Sequence, residues 1–458
     1  MDMYALRTLA FRRRVHKNLS SVVHALFFRL RGMRALLTIS IIGVSAAFAQ
    51  TSHSKPQVRI SLSQAEKMAI AHNRTLQAER TLILQSKANQ ITASLRPNPV
   101  FETDALFLPI FSPHALTTDN LNTFSEFDAG AKYTFELYGK RKARMHYAQA
   151  ATHVTSYLVS NDERRLRYSV AAQFIGVLYA ESKLRFAKRD LTTFDKSLAI
   201  SEKQYKAGSI SHGNLLKIEL ERLQFQTDLD AARVEVVQVK NQLRQLVGFS
   251  ALPRNYGVIG HLEAGSLHRS LLGLEAEALR MRPDLQAARR GVVAAQDRWR
   301  VAKAYAHPNL STTFDYTHLS ALNNLSAYAS IAIPIFNRNQ GEIARTSARI
   351  TEAQDQKRAV SEYVLTQVRS AYAQRQSALR VVSLYRSGYL KDASQSLSTS
   401  AYAYLRGDTS LLYFLDAERS YRTVELNYRR ALAAAMLSRK RLQEVVGMEG
   451  QSGGSHQP

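Results

Sequence analysis

The residue types that most often catalyse reactions or bind metals are scattered along this chain of 458 residues. It contains no cysteine, which excludes disulfide bonds, thiolate metal sites and cysteine nucleophiles. Its histidines, among them His72, His146, His153 and His212, form no His-x-x-x-His pair and no Glu-x-x-His cluster suited to a metal. The 8 methionines are not clustered, so no thioether site for copper(I) is evident. The sequence therefore predicts no enzyme, no cofactor and no metal site.

Basic residues outnumber acidic ones, with 62 Lys and Arg against 37 Asp and Glu and a net charge of +25. A charge of this size is compatible with binding to nucleic acid, with an anionic membrane surface or simply with a basic exterior. Composition does not choose among these, but 45% apolar residues and a mean hydropathy of −0.25 exclude both a disordered chain and a polytopic helical membrane protein.

Residues 33–49 have the order of a secretory signal peptide. Met33 and Arg34 precede an apolar run over residues 35–44, and the small-x-small sequence of residues 47–49 follows. The alternative is a short buried helix, since the apolar run is too short to span a bilayer. We expect a signal peptide over residues 1–49, with residues 1–32 either a long basic leader or an untranslated stretch before a start at Met33. An exported protein is a poor candidate for nucleic-acid binding, so no nucleic-acid partner is expected.

An internal duplication organises the rest of the chain. Tyr205 and Gly208 recur as Tyr404 and Gly407. In both copies a Val-Gly pair follows, with its glycine 40 residues after the first one. Two landmarks that keep the same spacing in both copies indicate a repeat. We expect a first structural repeat over residues 50–250, a connector over 251–270, a second repeat over 271–448 and a disordered tail over 449–458.

The hydrophobic period changes from that of a helix to that of a strand at the same place in each copy. Residues 62–95 have helical periodicity and no Gly or Pro, which predicts one helix. Apolar and polar residues then alternate, most clearly over residues 127–137, where Phe127, Ala129 and Ala131 alternate with Asp128 and Gly130. The sequence predicts four strands near ten residues long, at 101–107, 127–137, 310–317 and 325–335, joined by loops 112–123 and 319–324.

Strands of this length and alternation are typical of transmembrane β-barrels, with the apolar side towards lipid and the polar side towards a lumen. The alternative is a soluble hairpin that buries one face on a core, and the signal peptide favours the membrane. Four strands do not close a barrel, and lipid tolerates no open sheet edge. Several subunits must then contribute strands to one barrel. Two subunits give eight strands and a filled barrel, whereas three give twelve strands and a pore. We expect Ala131, Tyr133, Ile331 and Ile333 to face lipid.

Each copy also contains a helix that is too long for a globular domain. Residues 141–205 and 343–404 contain no proline and one interior glycine each. A continuous helix of this length extends over on the order of 100 Å at 1.5 Å per residue. Such rods bury an apolar stripe by packing against one another. We expect Gly208 and Gly407 to reverse the chain, with returning helices that end at Val247 and Val446.

Two motifs carry a family resemblance. A Tyr-x-x-Gly sequence with two large apolar residues seven positions later occurs in both repeats. The second motif is Ile-Pro-Ile-Phe-Asn-Arg-Asn-Gln-Gly-Glu over residues 333–342, with a counterpart over 136–141. At these motifs the chain resembles the TolC-like outer-membrane efflux family, and it is similar to the heavy-metal branch of the CusC and CzcC type. The resemblance covers nearly the whole chain after residue 49.

The resemblance implies a mainly α fold with a small β part. A long periplasmic α-barrel of coiled-coil-like helices would continue into a twelve-stranded transmembrane β-barrel that a homotrimer shares. The implied function is a passive duct in the cell outer membrane, which exports heavy-metal cations or small toxic compounds. Its implied partners are outer-membrane lipid, a periplasmic adaptor protein and an inner-membrane pump of the resistance-nodulation-division class.

The resemblance also implies roles for particular residues. The periplasmic tips, which would contact the adaptor, comprise Tyr205, Gly208, Leu215, Leu216, Tyr404, Gly407, Phe414 and Leu415. A candidate gate comprises Asp416, nine residues after the second tip glycine, with Tyr404 and with Lys217 at the matching place in the first repeat. Asn337, Arg338, Asn339, Gln340 and Gly341 form a strand-to-helix turn with capping chemistry. The alternatives are that the tyrosines only pack helices and that Asp416 only stabilises the positive N-terminal turn of its helix.

Four other functions remain open at this point. Drug efflux and type I polypeptide secretion fit the duct equally well, because the pump usually selects the cargo. An autonomous uptake porin is disfavoured by the long helices, for which a porin has no use. A periplasmic coiled-coil scaffold is disfavoured by the alternation typical of lipid-facing strands.

Overall fold

Helices make up most of the residues that the computed structural model describes, which are 58–448. The predicted signal peptide over 1–49 and the predicted tail over 449–458 lie outside the described residues. In the first half of the described chain the elements are β1 (Arg59–Ile60), α1 (Leu62–His72), α2 (Arg74–Ser94), β2 (Val100–Leu106), a 3₁₀ turn (Pro113–Ala115), α3 (Thr118–Phe124), β3 (Glu126–Phe135), α4 (Lys140–Lys206) and α5 (His212–Val247).

The second half repeats this order of two helices, two strands, a long helix and a returning helix. Its elements are β4 (Gly257–Val258), α6 (Leu271–Met281), α7 (Pro283–Tyr305), β5 (Leu310–Leu319), β6 (Leu322–Ile331), α8 (Gln340–Leu384), a π-helical segment (Tyr385–Tyr389), α9 (Leu390–Arg406) and α10 (Leu411–Val446). The mainly α composition, the small β part and the internal repeat are therefore confirmed. Within residues 58–448, no helix is both long and apolar enough to cross a bilayer.

The single helix predicted over residues 62–95 is divided at Asn73. Asn73 has an extended backbone (φ −66°, ψ 119°), and its Oδ1 accepts a hydrogen bond from the backbone N of Leu76 at 3.0 Å. Its Nδ2 donates to the carbonyl of Leu246 at 2.9 Å, which ties this corner to the end of α5. The prediction of one helix was wrong because a helix can begin anew at an Asn cap without any Gly or Pro.

Four antiparallel strands form one sheet in the order β2-β3-β5-β6. Its register segregates the faces: Ala131 pairs with Phe101 and Phe314, whereas the neighbouring Gly130 pairs with Glu102 and Asp315. One face is therefore rich in apolar residues and the other carries acidic ones, as the alternation predicted. Within the described chain, β2 and β6 each have one edge that no strand pairs.

The boundaries of the last two strands differ from the prediction. A tight turn at Ser320 and Ala321, with φ of 53° and 60°, connects β5 directly to β6, so the predicted loop 319–324 is largely strand. Positive φ is rare for residues other than Gly, Asn and Asp, so neither Ser320 nor Ala321 predicts a turn of this kind. As a result β6 ends at Ile331, and Ile333 lies beyond the strand rather than within it.

The long helix of the first repeat, α4, is continuous over its 67 residues, as predicted. Its counterpart in the second repeat is not. The chain kinks at Gly388, whose φ is 147°, and a π-helical segment separates α8 from α9. The expected continuous helix over 343–404 is thus two helices, because Gly388 adopts a conformation that other residues avoid. The returning helices α5 and α10 end at Val247 and Val446, as predicted.

The connector between the repeats packs into the core. Its β4 pairs in parallel with β1, and Leu252 and Tyr256 are buried beside α4 and α5. The hydroxyl of Tyr256 donates to the carbonyl of Lys240 at 2.8 Å. The fully buried Arg375 of α8 donates to the carbonyls of Ala264, at 2.6 Å, and Ala435, at 2.5 Å. This buried guanidinium fastens the connector to α8 and α10.

The C-terminal end of α10 is held on both sides. Arg164 of α4 donates to the carbonyl of Glu444 at 2.7 Å and also pairs with the Glu444 carboxylate. Arg282 donates to the carbonyl of Val445 at 3.2 Å. Arg282 also forms a two-bond ion pair with Asp284, at 3.0 and 2.5 Å. Burial alone would raise the pKa of Asp284, but the hydrogen bonds and charge of Arg282, with the charge of Arg164, outweigh it and lower the pKa.

Candidate functional site

The two turns at the far ends of the long helices share one backbone design. Gly208 and Gly407 have φ of 73° and 83°, the left-handed conformation that ends a helix. A serine then caps the returning helix: the Oγ of Ser211 accepts from the N of Asn214 at 3.2 Å, and the Oγ of Ser410 accepts from the N of Tyr413 at 3.5 Å. The repeated glycines therefore supply the chain reversal that the sequence predicted at these positions.

The side chains of the two motifs lie in different environments. Tyr404 is 6% exposed, and its ring stacks on that of Phe414 with centroids 5.3 Å apart and an interplanar angle of 6°. Its counterpart Tyr205 is 40% exposed and contacts the ring of His212 at 5.4 Å. Leu415 and Leu215 are buried, whereas Leu216 is exposed. The predicted tip residues are thus partly core and partly surface.

The buried residues of the second tip join a hydrophobic cluster, here called the tip core. This cluster connects the first hairpin, formed by α4 and α5, to the second hairpin, formed by α9 and α10. It comprises Leu191 and Phe194 of α4, Ile218, Phe225 and Leu229 of α5, Tyr404 of α9, and Leu411, Phe414 and Leu415 of α10. The rings of Phe194 and Phe225 stack at 4.4 Å. Nearer the tips, the Nε2 of Gln204 donates to the carbonyl of Leu405 at 3.1 Å. The second hairpin is therefore fixed to the first by its own motif residues.

An exposed apolar surface remains at the second tip, which the sequence analysis missed. Leu412 and Tyr413 are 72% and 70% exposed and are the second and third residues after the cap Ser410. Close by, the guanidinium of Arg406 lies 4.5 Å from the ring centroid of Tyr402. A cleft of about 640 Å³ runs between the two tips, lined by residues that include Gln204, Asn214, Lys217, Leu405 and Leu412. The run of five apolar residues after Ser410, which is too long for one buried helical face, was the available sequence signal.

The three candidate gate residues are not equivalent. Asp416 and Lys217 are exposed, and Lys217 lines the cleft between the tips. Tyr404 is buried in the tip core, and its hydroxyl has no hydrogen-bond partner among residues 58–448. Asp416 is the sixth residue of α10, beyond the first turn in which a carboxylate stabilises a helix N-terminus. The alternative role of Asp416 at the helix dipole is therefore not supported.

The predicted strand-to-helix turn is formed by residues 337–341, but its cap is of a different kind. Asn339 has φ 57° and precedes α8, which begins with Gln340 and Gly341; its side chain makes no capping bond. Instead, its Nδ2 donates to the carbonyl of Ala302 at 2.7 Å, which fastens the turn to α7. The N of Asn339 donates to the Oδ1 of Asn337 at 2.9 Å, and the Nε of Arg338 donates to the carbonyl of Pro334 at 3.1 Å.

The first repeat has the same turn with a glycine. Gly139 precedes α4 with φ 68°, where the second repeat has Asn339. Gly and Asn are the two residues that most readily adopt the left-handed conformation.

Among the residues that the structure describes, no group of three or more His, Asp or Glu side chains is arranged to hold a metal ion. The site is thus a pair of helical tips with a cleft between them.

Comparison with known proteins gives consistent results for sequence and structure. The family described as Outer membrane efflux protein matches residues 67–249 and 274–448. The chain is 30% identical over 345 residues to the cation efflux system protein CusC of Escherichia coli K12, covering 68% of this chain and 72% of CusC. It is 22% identical over 390 residues to the cobalt-zinc-cadmium resistance protein CzcC of Cupriavidus metallidurans, covering 85% and 90%. A membrane protein from Pseudomonas aeruginosa has a similar structure, with a TM-score of 0.72 at 20% identity over 87% of this chain and 93% of that one.

Proposed function

Because the chain belongs to the outer membrane efflux protein family, we propose that it is the channel subunit of a tripartite efflux system with a resistance-nodulation-division pump. The protein is a passive outer-membrane channel and not an enzyme, and its long helices belong to the periplasmic side. In this proposal a periplasmic adaptor connects the helical tips to the inner-membrane pump. The predicted signal peptide over residues 1–49 accounts for export to this compartment.

The observation that carries the proposal is the four-stranded sheet with segregated faces and two unpaired edges, attached to the long helices. An isolated sheet of this kind leaves backbone groups unsatisfied in lipid. Pairing of β6 with β2 of the next subunit removes both edges when the ring closes. Three subunits give twelve strands and a pore, whereas two give a barrel filled by side chains. A homotrimer is therefore the proposed assembly, with Ala131, Tyr133 and Ile331 towards lipid.

We propose heavy-metal cations as the cargo. The two relatives compared above are described as cation efflux and cobalt-zinc-cadmium resistance proteins. In the proposed barrel the polar face lines the lumen. That face carries five carboxylates and one lysine, namely Glu102, Asp104, Glu126, Asp128, Asp315 and Lys132. Rings of carboxylates favour cations in a pore, which supports cation export over the export of drugs or polypeptides.

The tips are the proposed docking site for the adaptor. In a trimer the turns at Gly208 and Gly407 give six tips at one end of the tube. The exposed Leu412 and Tyr413 and the cleft beside them are accessible to a partner's helical hairpin. Asp416 is proposed to lie near the threefold axis, where three carboxylates would attract cations and repel one another.

Deletion of the gene in its host tests the function. We expect lower tolerance of cobalt, zinc or cadmium ions with unchanged tolerance of antibiotics and dyes, and recovery when the gene is restored. Membrane fractions should contain the protein as an oligomer that resists heating on a gel. Hypersensitivity to drugs alone would favour drug efflux, and loss of a secreted polypeptide would favour type I secretion. Reduced nutrient uptake without any sensitivity would favour a porin.

A further inference from the structure

Two carboxyl groups lie side by side in the packed interface between the hairpins. Asp190 projects from α4 and Glu418 from α10, two helical turns after the cap Ser410. They are 8% and 7% exposed, and Glu418 stands one helical turn before Arg422, whose Nε lies 2.9 Å from the Oδ2 of Asp190. Carboxyl groups rarely occur in such burial without a compensating charge or a shared proton.

One arginine bridges all three helices at this place. The Nε of Arg422, from α10, lies 2.9 Å from the Oδ2 of Asp190, and its Nη2 pairs with Asp228 of α5. Its guanidinium also lies 4.1 Å from the ring centroid of Phe225, in the tip core. The Nε of Arg422 and the Oδ2 of Asp190 do not meet the geometry of a hydrogen bond, although they are close. The contact between Arg422 and Asp190 is therefore an ion pair without a directed hydrogen bond.

The charges around the pair do not balance when every carboxyl is ionised. The α5 helix contributes Asp228 and Glu221, and α10 contributes Arg422 and Arg419, of which Arg419 pairs with Glu221 at 2.8 Å. Burial raises the pKa of Tyr421 of α10, and the negative charges of Asp190 and Glu418 also raise it. Four carboxyls thus face two guanidinium groups: Arg419 pairs with Glu221, and Arg422 is shared by Asp228 and Asp190. When all four are ionised, two negative charges are left without a cation, and Glu418 has no cation of its own.

A proton shared by Asp190 and Glu418 removes one of these two excess charges, the one that is buried. Burial, together with the charge of Asp190, raises the pKa of Glu418 to about 7. Burial raises the pKa of Asp190 to about 6, although Arg422 opposes the shift. The protonated Glu418 then donates a hydrogen bond to the Asp190 carboxylate, which Arg422 stabilises. When the hairpins separate, both groups meet water and return to their ordinary acidity.

We propose that Asp190 and Glu418 form a proton-dependent latch, which holds the second hairpin on the first when they share a proton and loosens it when that proton is lost. Because the packed state binds the extra proton, the stabilisation is complete in acid and is lost as the pH rises through about 6 to 7. The kink at Gly388 lies between the latch and the middle of the long helix, whereas α10 continues unbroken to Val446. The contacts that carry this inference lie within one subunit and do not depend on the cargo or the trimer.

Hydrogen–deuterium exchange of the purified full-length protein in detergent tests the latch. Between pH 5.5 and pH 8.5, with rates corrected for intrinsic exchange, we expect protection of residues 411–425 and 184–198 to fall by about tenfold or more. A pKa difference of one unit between the packed and the separated hairpins changes the equilibrium between these two states by about a factor of ten. Residues 436–446, at the end of α10 that Arg164 and Arg282 hold, should keep their protection at every pH. This segment is an internal control within the same helix.

Two variants identify the responsible groups. E418Q keeps a side chain that donates a hydrogen bond to Asp190 at all pH values, so protection should stay at the acidic level throughout. D190N removes the charge that raises the pKa of Glu418, so the transition should move to lower pH. The matched control is E219Q, which removes an exposed carboxylate of α5 and should behave as the wild type.

Exchange that is independent of pH in the wild-type protein would overturn the latch, and so would a wild-type transition in E418Q. If E418Q does not fold, as judged by its circular dichroism, an unshifted transition in D190N is equally contrary to the proposal. Failure of the efflux function would appear in the metal tolerance of the deletion strain and would leave these measurements unchanged. The two proposals therefore fail separately.

Discussion

The two helical tips have the same backbone but use the same motif for opposite purposes. Both reverse the chain at a left-handed glycine and restart a helix at a serine cap. At the second tip, Tyr404 and Leu415 are buried against the first hairpin, whereas their counterparts Tyr205 and Leu216 at the first tip are exposed. A duplicated motif therefore determines the turn, while the neighbouring helices determine which side chains become core. The second hairpin therefore contributes its motif residues to the interface with the first hairpin, whereas the first tip leaves Tyr205 and Leu216 at the surface.

The largest expected difference between the tips is in the energy of side-chain truncation. Leu415→Ala should lower the free energy of unfolding by about 2–5 kcal/mol, because it removes a buried side chain from the tip core. Leu216→Ala, the matched truncation at the first tip, should cost well under about 1 kcal/mol because that side chain is exposed. Urea unfolding followed by circular dichroism measures both. Equal losses at the two positions would contradict the unequal packing of the tips.

Sequence reasoning identified those features that local chemistry determines. The glycine turns, the ends of α5 and α10, and the segregated faces of the strands follow from propensity and period, and all were predicted. The break at Asn73 and the turn at Ser320 and Ala321 were missed because neither has a Gly or Pro, and the kink at Gly388 was missed because an interior glycine does not by itself end a helix.

The unequal burial of Tyr205 and Tyr404 could not be predicted from the repeat. Both residues occupy the same position of the same motif, and only the packing of α9 and α10 on α4 and α5 distinguishes them. The buried pair of Asp190 and Glu418 was missed for the same reason: the two residues are far apart in the sequence. The tip motif itself was found because its spacing is kept in both copies.

The next largest effect should be the same at both tips. Gly208→Val and Gly407→Val each place a β-branched residue at positive φ, which costs about 1–2 kcal/mol or more of helix-hairpin stability. A Cβ at either position meets no other atom within 4 Å, so backbone strain is the only source of the cost. Gly213→Val is the control, because Gly213 lies in α5 without a positive φ. Protease cleavage at the tips should increase in the first two variants only. A loss at one tip alone would show that the shared backbone design is not what stabilises the turns.

The tyrosine hydroxyls should show a smaller difference. Removing the Tyr404 hydroxyl by Tyr404→Phe should leave stability unchanged or raise it by about 1 kcal/mol, since a buried hydroxyl without a partner carries a desolvation cost. Tyr205→Phe should have no measurable effect, because its hydroxyl end is at the surface. The midpoint of thermal dissociation of the oligomer measures both. If Tyr404→Phe lowers that midpoint, the hydroxyl bonds a neighbouring subunit, and Tyr404 regains the gate role considered for it.

The smallest effect on stability, and the one most specific to function, is expected at the charged residues near the tips. Asp416 and Lys217 occupy matching positions in the two repeats and are both exposed, so Asp416→Ala and Lys217→Ala should leave the unfolding free energy nearly unchanged. Single-channel recording in a planar bilayer should nevertheless separate them. Three Asp416 carboxylates around the proposed threefold axis would bind multivalent cations, so Asp416→Ala should weaken block by such cations and raise conductance. Lys217→Ala should preserve the block or strengthen it, because it removes a repelling charge. Should Asp416→Ala leave both conductance and block as in the wild type, the carboxylates do not line the closed end of the tube. The difference between the tips would then concern packing alone.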